Sequence, residues 1–203
     1  MTDHEDHTPK LGDIEDVETI MIPASYAAGI LVPELLKFLG MYIGKQGVSY
    51  YAEVHRMRLN SYCHTLGMPI FAYGMLVVLP LLMGEKEKDA LCVQDLLYGS
   101  YMTHYIHVSP RVGIVTSVVY AVPLVMARKR VIDFYSRFMS NDKTTLVERV
   151  KTPTFQEAAA ISICTMVCQE FLGHYISGDP PSRVEGIPNA ILYAMYYSIS
   201  HFG

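Results

Sequence analysis

Charge is scarce in this 203-residue sequence: Asp, Glu, Lys and Arg make up 18% of it, against 51% hydrophobic residues. Mean hydropathy is positive, +0.21. So small a charged fraction is unusual for a soluble chain of this size and fits several membrane segments. The net charge is −4, and there is no extended basic tract. Nucleic acid is therefore not an expected partner. The first residues lack a basic segment followed by an apolar core, so a cleaved secretory signal is not expected. A CxxC pair is also missing. Cys63, Cys92, Cys164 and Cys168 lie in or beside apolar segments. Cys164 and Cys168, four apart, share a helix face and read as buried thiols in a reducing or lipid environment. No internal repeat occurs, and the length suits one domain.

The apolar runs predict an all-α polytopic membrane bundle of about four spans plus interfacial helices. Residues 1–19 are acidic and read as a disordered tail, with His4 and His7 given no function. Residues 20–47 form an extension. Pro33, Glu34 and Lys37 interrupt its apolar run, which suggests a kinked interfacial helix. Residues 48–203 are the helical membrane domain. Its first convincing span covers Gly67 to Met83 and is short unless Ser61 to Leu66 is added. A mixed segment, Ala90 to His107, carries Asp95, His104 and His107; these two histidines share a face, as further ligands or as interfacial polar residues. Val112 to Ala127 is plainly apolar and is ended by Arg128-Lys129-Arg130, which should face the cytoplasm or the mitochondrial matrix. An interfacial helix follows, then apolar helices over Phe155 to Ile176 and Ile187 to Phe202.

The chemistry concentrates at two places. In Tyr50 to Pro69, YYAEVHRMRLNSYCHTLGMP, His55 and His64 precede an apolar run. On one unbroken helix nine residues would turn them through roughly 900°, onto opposite faces. Asn60 between them is a good N-cap. A break there would let His55 end one helix while His64 opens the next. The pair is then either half of a metal site or ordinary interfacial polar residues. At the second place, Glu170 and His174 are four apart and share a face. Gly173 admits a close backbone approach, and GDPPSRVEGIPNA stops the helix. His55, His64, His174 and one carboxylate would suit iron or another first-row metal. The alternatives are an acid paired with Arg183 or a histidine, and a capping His174.

Tyr51-x-x-x-His55-x-x-x-x-Asn60-x-x-x-His64-x-x-Gly67-x-Pro69, with the late Phe171-x-Gly173-His174 followed by prolines, resembles the fungal-type 2-hydroxy fatty acid dioxygenase family. These are small multispanning membrane proteins, and the resemblance covers roughly residues 48–200. It implies an all-helical protein of the endoplasmic reticulum that uses Fe(II) and O₂ to shorten 2-hydroxy fatty acids by one carbon. It implies His55, His64 and His174 as iron ligands and Asn60 as the matched helix-junction residue; Asn60 and Glu170 are the candidate catalytic residues. Members usually carry Gln where this chain has Glu170, and Phe-Glu-Lys-Arg where it has Ile176-Ser177-Gly178-Asp179. Arg56 and Arg183 are the bases left for a substrate carboxylate. Two functions remain open. One is the iron enzyme, with a long-chain fatty acid or other lipid as its partner. The other is an inactive member serving as a structural subunit of a larger membrane complex, for example in the mitochondrial inner membrane.

Overall fold

The computed structural model describes residues 54–84, 93–138 and 145–180, and these are helical apart from short links. Helix α1 spans Arg58–Met83, α2 Val93–Val108, α3 Pro110–Phe138, α4 Leu146–Val150 and α5 Pro153–Cys168. From Gln169 to Ile176 the same rod continues as a π-helix, in which N–H groups reach five residues back rather than four. Among the described residues, α1 and α3 are long and apolar enough to cross a membrane. The acidic tail, the 20–47 extension and the 187–202 helix lie outside the described residues.

Two boundaries differ from the sequence reading. First, α1 starts at Arg58 with Met57 as its N-cap, so the break precedes Asn60. Met57 has no capping side chain; its own N–H donates to Asp179 Oδ2, 3.0 Å away. A carboxylate distant in sequence thus binds the N–H of the residue at the helix start, and Asn60 lies inside the helix rather than capping it. Second, Arg128-Lys129-Arg130 does not end a helix, because α3 runs through it to Phe138 with no separate interfacial helix. Arg128 pairs with Asp95 on α2 at 3.0 Å, and Arg130 with Glu157 on α5. Neutralised sideways, the basic cluster leaves the backbone ladder intact. The pairs are partly exposed and add little stability. Cys164 and Cys168 are exposed on α5 rather than buried, and Cys63 is half-buried.

Pro80 inside α1 is tolerated because a neighbour supplies what it removes. Pro80 has no N–H, so the Leu76 carbonyl loses its helical donor. Buried Gln94 on α2 replaces it, with Nε2 donating to Leu76 O at 2.6 Å. Gln94→Leu should therefore orphan a buried carbonyl and destabilise the protein by about 1–3 kcal/mol. Thermal unfolding in detergent should show a clearly lower midpoint than for the unaltered protein.

The main core sits at the far end of α1 from His64. Val77, Leu81, Ala127, Phe134 and Ala158 pack there with almost no exposure. Between that core and the histidines, α1 and α5 meet along small residues. Ser162 Oγ donates to the Phe71 carbonyl at 3.3 Å. A Cβ on Gly74 would lie 2.1 Å from Ser162 Oγ and 2.6 Å from the Ala158 carbonyl. Approach through small residues is the usual means of closing an interface between apolar helices.

Candidate metal centre

Three histidines from three segments converge. His55 lies in the non-helical link before α1, His64 in the second turn of α1, and His174 near the end of the π segment. All are buried, with 2%, 3% and 1% exposure. Their ring centroids are 4.5, 4.9 and 5.3 Å apart. One ring nitrogen from each lies within 4.8 Å of the others, an arrangement that can hold a metal ion.

Local winding explains each placement. His55 escapes the opposite-face problem because regular helix begins only at Arg58. His64 lies in the second turn rather than the first. His174 depends on the π segment. In an α-helix, Gln169 and His174 would be about 140° apart around the axis. Here both are buried. Gln169 packs over Gly67, where a Cβ would meet its side chain at 2.7 Å, and it hydrogen-bonds His64. His174 meets His64 directly, with the two Nε2 atoms 3.3 Å apart.

Asn60 is central to the cluster and fully buried. Its Nδ2 hydrogens go to the Val54 carbonyl at 2.9 Å and to Asp179 Oδ2 at 3.0 Å. With both hydrogens placed, the 3.3 Å approach of Nδ2 to His174 Nδ1 is packing rather than a third donation. His174 Nδ1 lies 2.7 Å from the Pro180 carbonyl. A carbonyl only accepts, so Nδ1 carries the proton and Nε2 presents its lone pair towards His64. A backbone carbonyl that fixes the distal nitrogen in this way is a common outer partner of a metal-binding histidine. Asn60 Oδ1 is buried with no hydrogen-bond partner among the described residues. Gly173 makes room for it, since a Cβ there would lie 2.6 Å from Oδ1. The close approach expected at Gly173 is thus made by a side chain, not a backbone.

This geometry suits a transition metal. Two nitrogens about 2.1 Å from a common ion and 3.3 Å apart subtend roughly 104°, between octahedral and tetrahedral angles. Neutral imidazoles suit iron, zinc, copper and nickel alike.

Two site residues were not picked out from the sequence. Gln169 is one, and Asp179 is the other. Asp179 is buried, and its Oδ2 ties both the Met57 N–H and Asn60 to the end of the His174 segment. Gly178, at φ +79, ends that segment with its N–H on the His174 carbonyl at 3.0 Å. Ser177 Oγ then receives the Asp179 N–H at 3.2 Å. The string Ser177-Gly178-Asp179-Pro180 is a helix-stop signature that could have drawn attention to the Asp it carries. Of the remaining candidates, Glu170 is half-buried. It borders an open pocket of about 560 Å³ with His174, Asp179, Phe171 and Tyr175. Arg56 is exposed. Arg183 and the side chains of His104 and His107 lie outside the described residues.

No protein-family model, curated protein or solved structure matches the chain.

Proposed function

We propose that the protein is an Fe(II)-dependent membrane dioxygenase that shortens 2-hydroxy long-chain fatty acids by one carbon. The observation that carries this reading is the buried cluster of His55, His64 and His174, with His174 held as the tautomer that turns Nε2 inward. The metal and the substrate class come from the motif resemblance. Bound Fe(II) would supply Lewis acidity and O₂ activation.

The chain's own groups do the remaining work. His55, His64 and His174 hold the ion, while Asp179 and the Pro180 carbonyl hold Asn60 and His174 in place. The acid group enters through the pocket beside His174 and Glu170. The Glu170 carboxylate, which borders that pocket, takes the proton of the 2-hydroxyl as the bond to the carboxyl carbon breaks, and Asn60 keeps the Asp179 end of the His174 segment against α1. Overall, R–CH(OH)–COOH and O₂ give R–COOH, CO₂ and H₂O. The carboxyl carbon leaves as CO₂, C2 is oxidised to the new carboxyl, and O₂ is reduced.

We place the protein in the endoplasmic reticulum membrane with about four spans. Supporting membrane residence, α3 presents Val118, Val122 and Val125 in one stripe, each at least 60% exposed. Such a stripe is costly in water and suited to lipid. Arg128-Lys129-Arg130 then marks the cytoplasmic side.

The test uses anaerobically purified protein in detergent. About one iron per chain is expected, lost in His64→Ala and His174→Ala while helicity persists. Membranes with the unaltered protein should convert a 2-hydroxy long-chain acid, in the presence of O₂, to the acid one carbon shorter. The non-hydroxylated acid should not react, because it cannot offer the second oxygen. Folded protein without metal or product would refute the enzyme and leave the structural-subunit reading.

A further inference from the structure

We infer that the cleft between α1, α2 and α3 is the slot that receives the acyl tail. This rests on the lipid-acid reading above and adds where the chain lies and which way it points. The cleft holds about 210 Å³ and is bordered almost wholly by carbon. At about 30 Å³ for each water-sized group, it takes on the order of seven carbons.

Its position on α1 is the main argument. Met68, Phe71, Met75 and Leu79 line it. These residues lie four, seven, eleven and fifteen positions after His64. At 100° per residue all four fall within about 60° of His64 around the helix. The cleft is therefore a continuation, down the same side of α1, of the face that carries the histidine. It begins about 6 Å along the axis from His64 and ends about 22 Å from it. The α5 contact lies on the adjoining flank, where Gly67 and Gly74, about 60° and 80° from His64 in the sense opposite to Leu79, are covered by Gln169 and Ser162. A chain whose acid group reaches the histidines can thus descend between α1 and α2 without disturbing that seam.

The opposite wall agrees with an apolar, unbranched occupant. Tyr98, Tyr101 and Tyr120 border the cleft. The Tyr98 hydroxyl donates to the Ser117 carbonyl at 2.8 Å, so its ring adds carbon to the wall rather than a polar anchor. Methionine is also well represented, with Met68, Met75 and Met102 in the lining. Its flexible thioether adapts to a mobile chain better than branched residues do.

Photolabelling tests this on the full-length protein, stripped of metal by chelation so that no chemistry is needed. The probes are long-chain fatty acids with a diazirine near the carboxyl, at mid-chain, or near the methyl end. Mapped adducts should move along α1 in that order, from Met68 through Met75 to Leu79, and excess palmitate should compete them away. Ala72, which borders the cleft, gives the blocking variant. Ala72→Phe should reduce labelling at Leu79 at least about fivefold, with labelling of Val118 and Val122 on the outer face of α3 unchanged. Adducts confined to that outer face, or to Phe171 and Tyr175, would overturn the assignment. So would labelling with no order along α1, a result read from the unaltered protein even if Ala72→Phe fails to fold. Ordered labelling without O₂-dependent product would refute the reaction and leave the slot standing.

Discussion

Asp179→Ala is expected to remove metal binding before it removes the fold. The carboxylate accepts from the Met57 N–H and from Asn60 Nδ2 through one oxygen, both at 3.0 Å. It is the tie between the end of the segment that carries His174 and the start of the helix that carries His64. Each charge-assisted bond is worth about 1.5–3 kcal/mol, and Asp179 also complements the N-terminal dipole of α1. Its loss leaves the part-buried Met57 N–H and the buried Asn60 Nδ2 without this acceptor and frees Asn60 from the His174 segment. Outer-partner substitutions at metal sites typically weaken affinity 10–100-fold, and the upper part of that range is expected here. Asp179→Asn keeps an oxygen that can accept both bonds and loses only the charge, so its effect should be several-fold smaller. Competition with a coloured chelator gives the affinities, and circular dichroism reports whether the helices persist. Equal affinities in Asp179→Ala and the unaltered protein would refute the role.

Gly74→Val should be the most damaging single substitution along the seam between α1 and α5. A Cβ there overlaps Ser162 Oγ at 2.1 Å and the Ala158 carbonyl at 2.6 Å. The hydroxyl could rotate away, but the carbonyl belongs to α5 and cannot. Overpacking of this kind costs about 1–3 kcal/mol where the surroundings adjust. Here the helices must separate, which also removes the Ser162 bond to the Phe71 carbonyl. The expected result is aggregated or undetectable protein. Adding Ser162→Gly should not restore it, since that removes the hydroxyl and leaves the backbone contact. Size-exclusion chromatography of the single and double variants in mild detergent decides this.

The helical class was legible because the apolar runs are long and poorly charged, as in Gly67 to Met83. The convergence of His55, His64 and His174 was legible in part. Spacing excluded one straight helix, and His64 and His174 were both read at helix ends. The location of the break was misread because Asn60 has the right chemistry for a cap, and a nearby cap outcompetes a distant one in any local rule. Asp179 lies well over a hundred residues away in sequence, so nothing local marks it as the acceptor for Met57. The length of α3 was misread for a similar reason. Arg128 and Arg130 look like the end of a helix until Asp95 and Glu157 are brought beside them. Gln169 was overlooked because its inward direction depends on winding that residue type does not encode.

That winding has a consequence for recognising kin of this protein. Gln169 to Ile176 turns more slowly than an α-helix, and Gln169, Gly173 and His174 are all buried. Deleting a single residue between Cys168 and Gly173 would let the rod close into ordinary α-helix with the imidazole four positions after Gln169, about 40° from it and on the face it occupies now. A chain one residue shorter in this stretch could therefore keep all three histidines facing each other. A gap of one here would not separate chains able to hold a metal from those that are not, although a search for fixed spacing would discard the shorter ones.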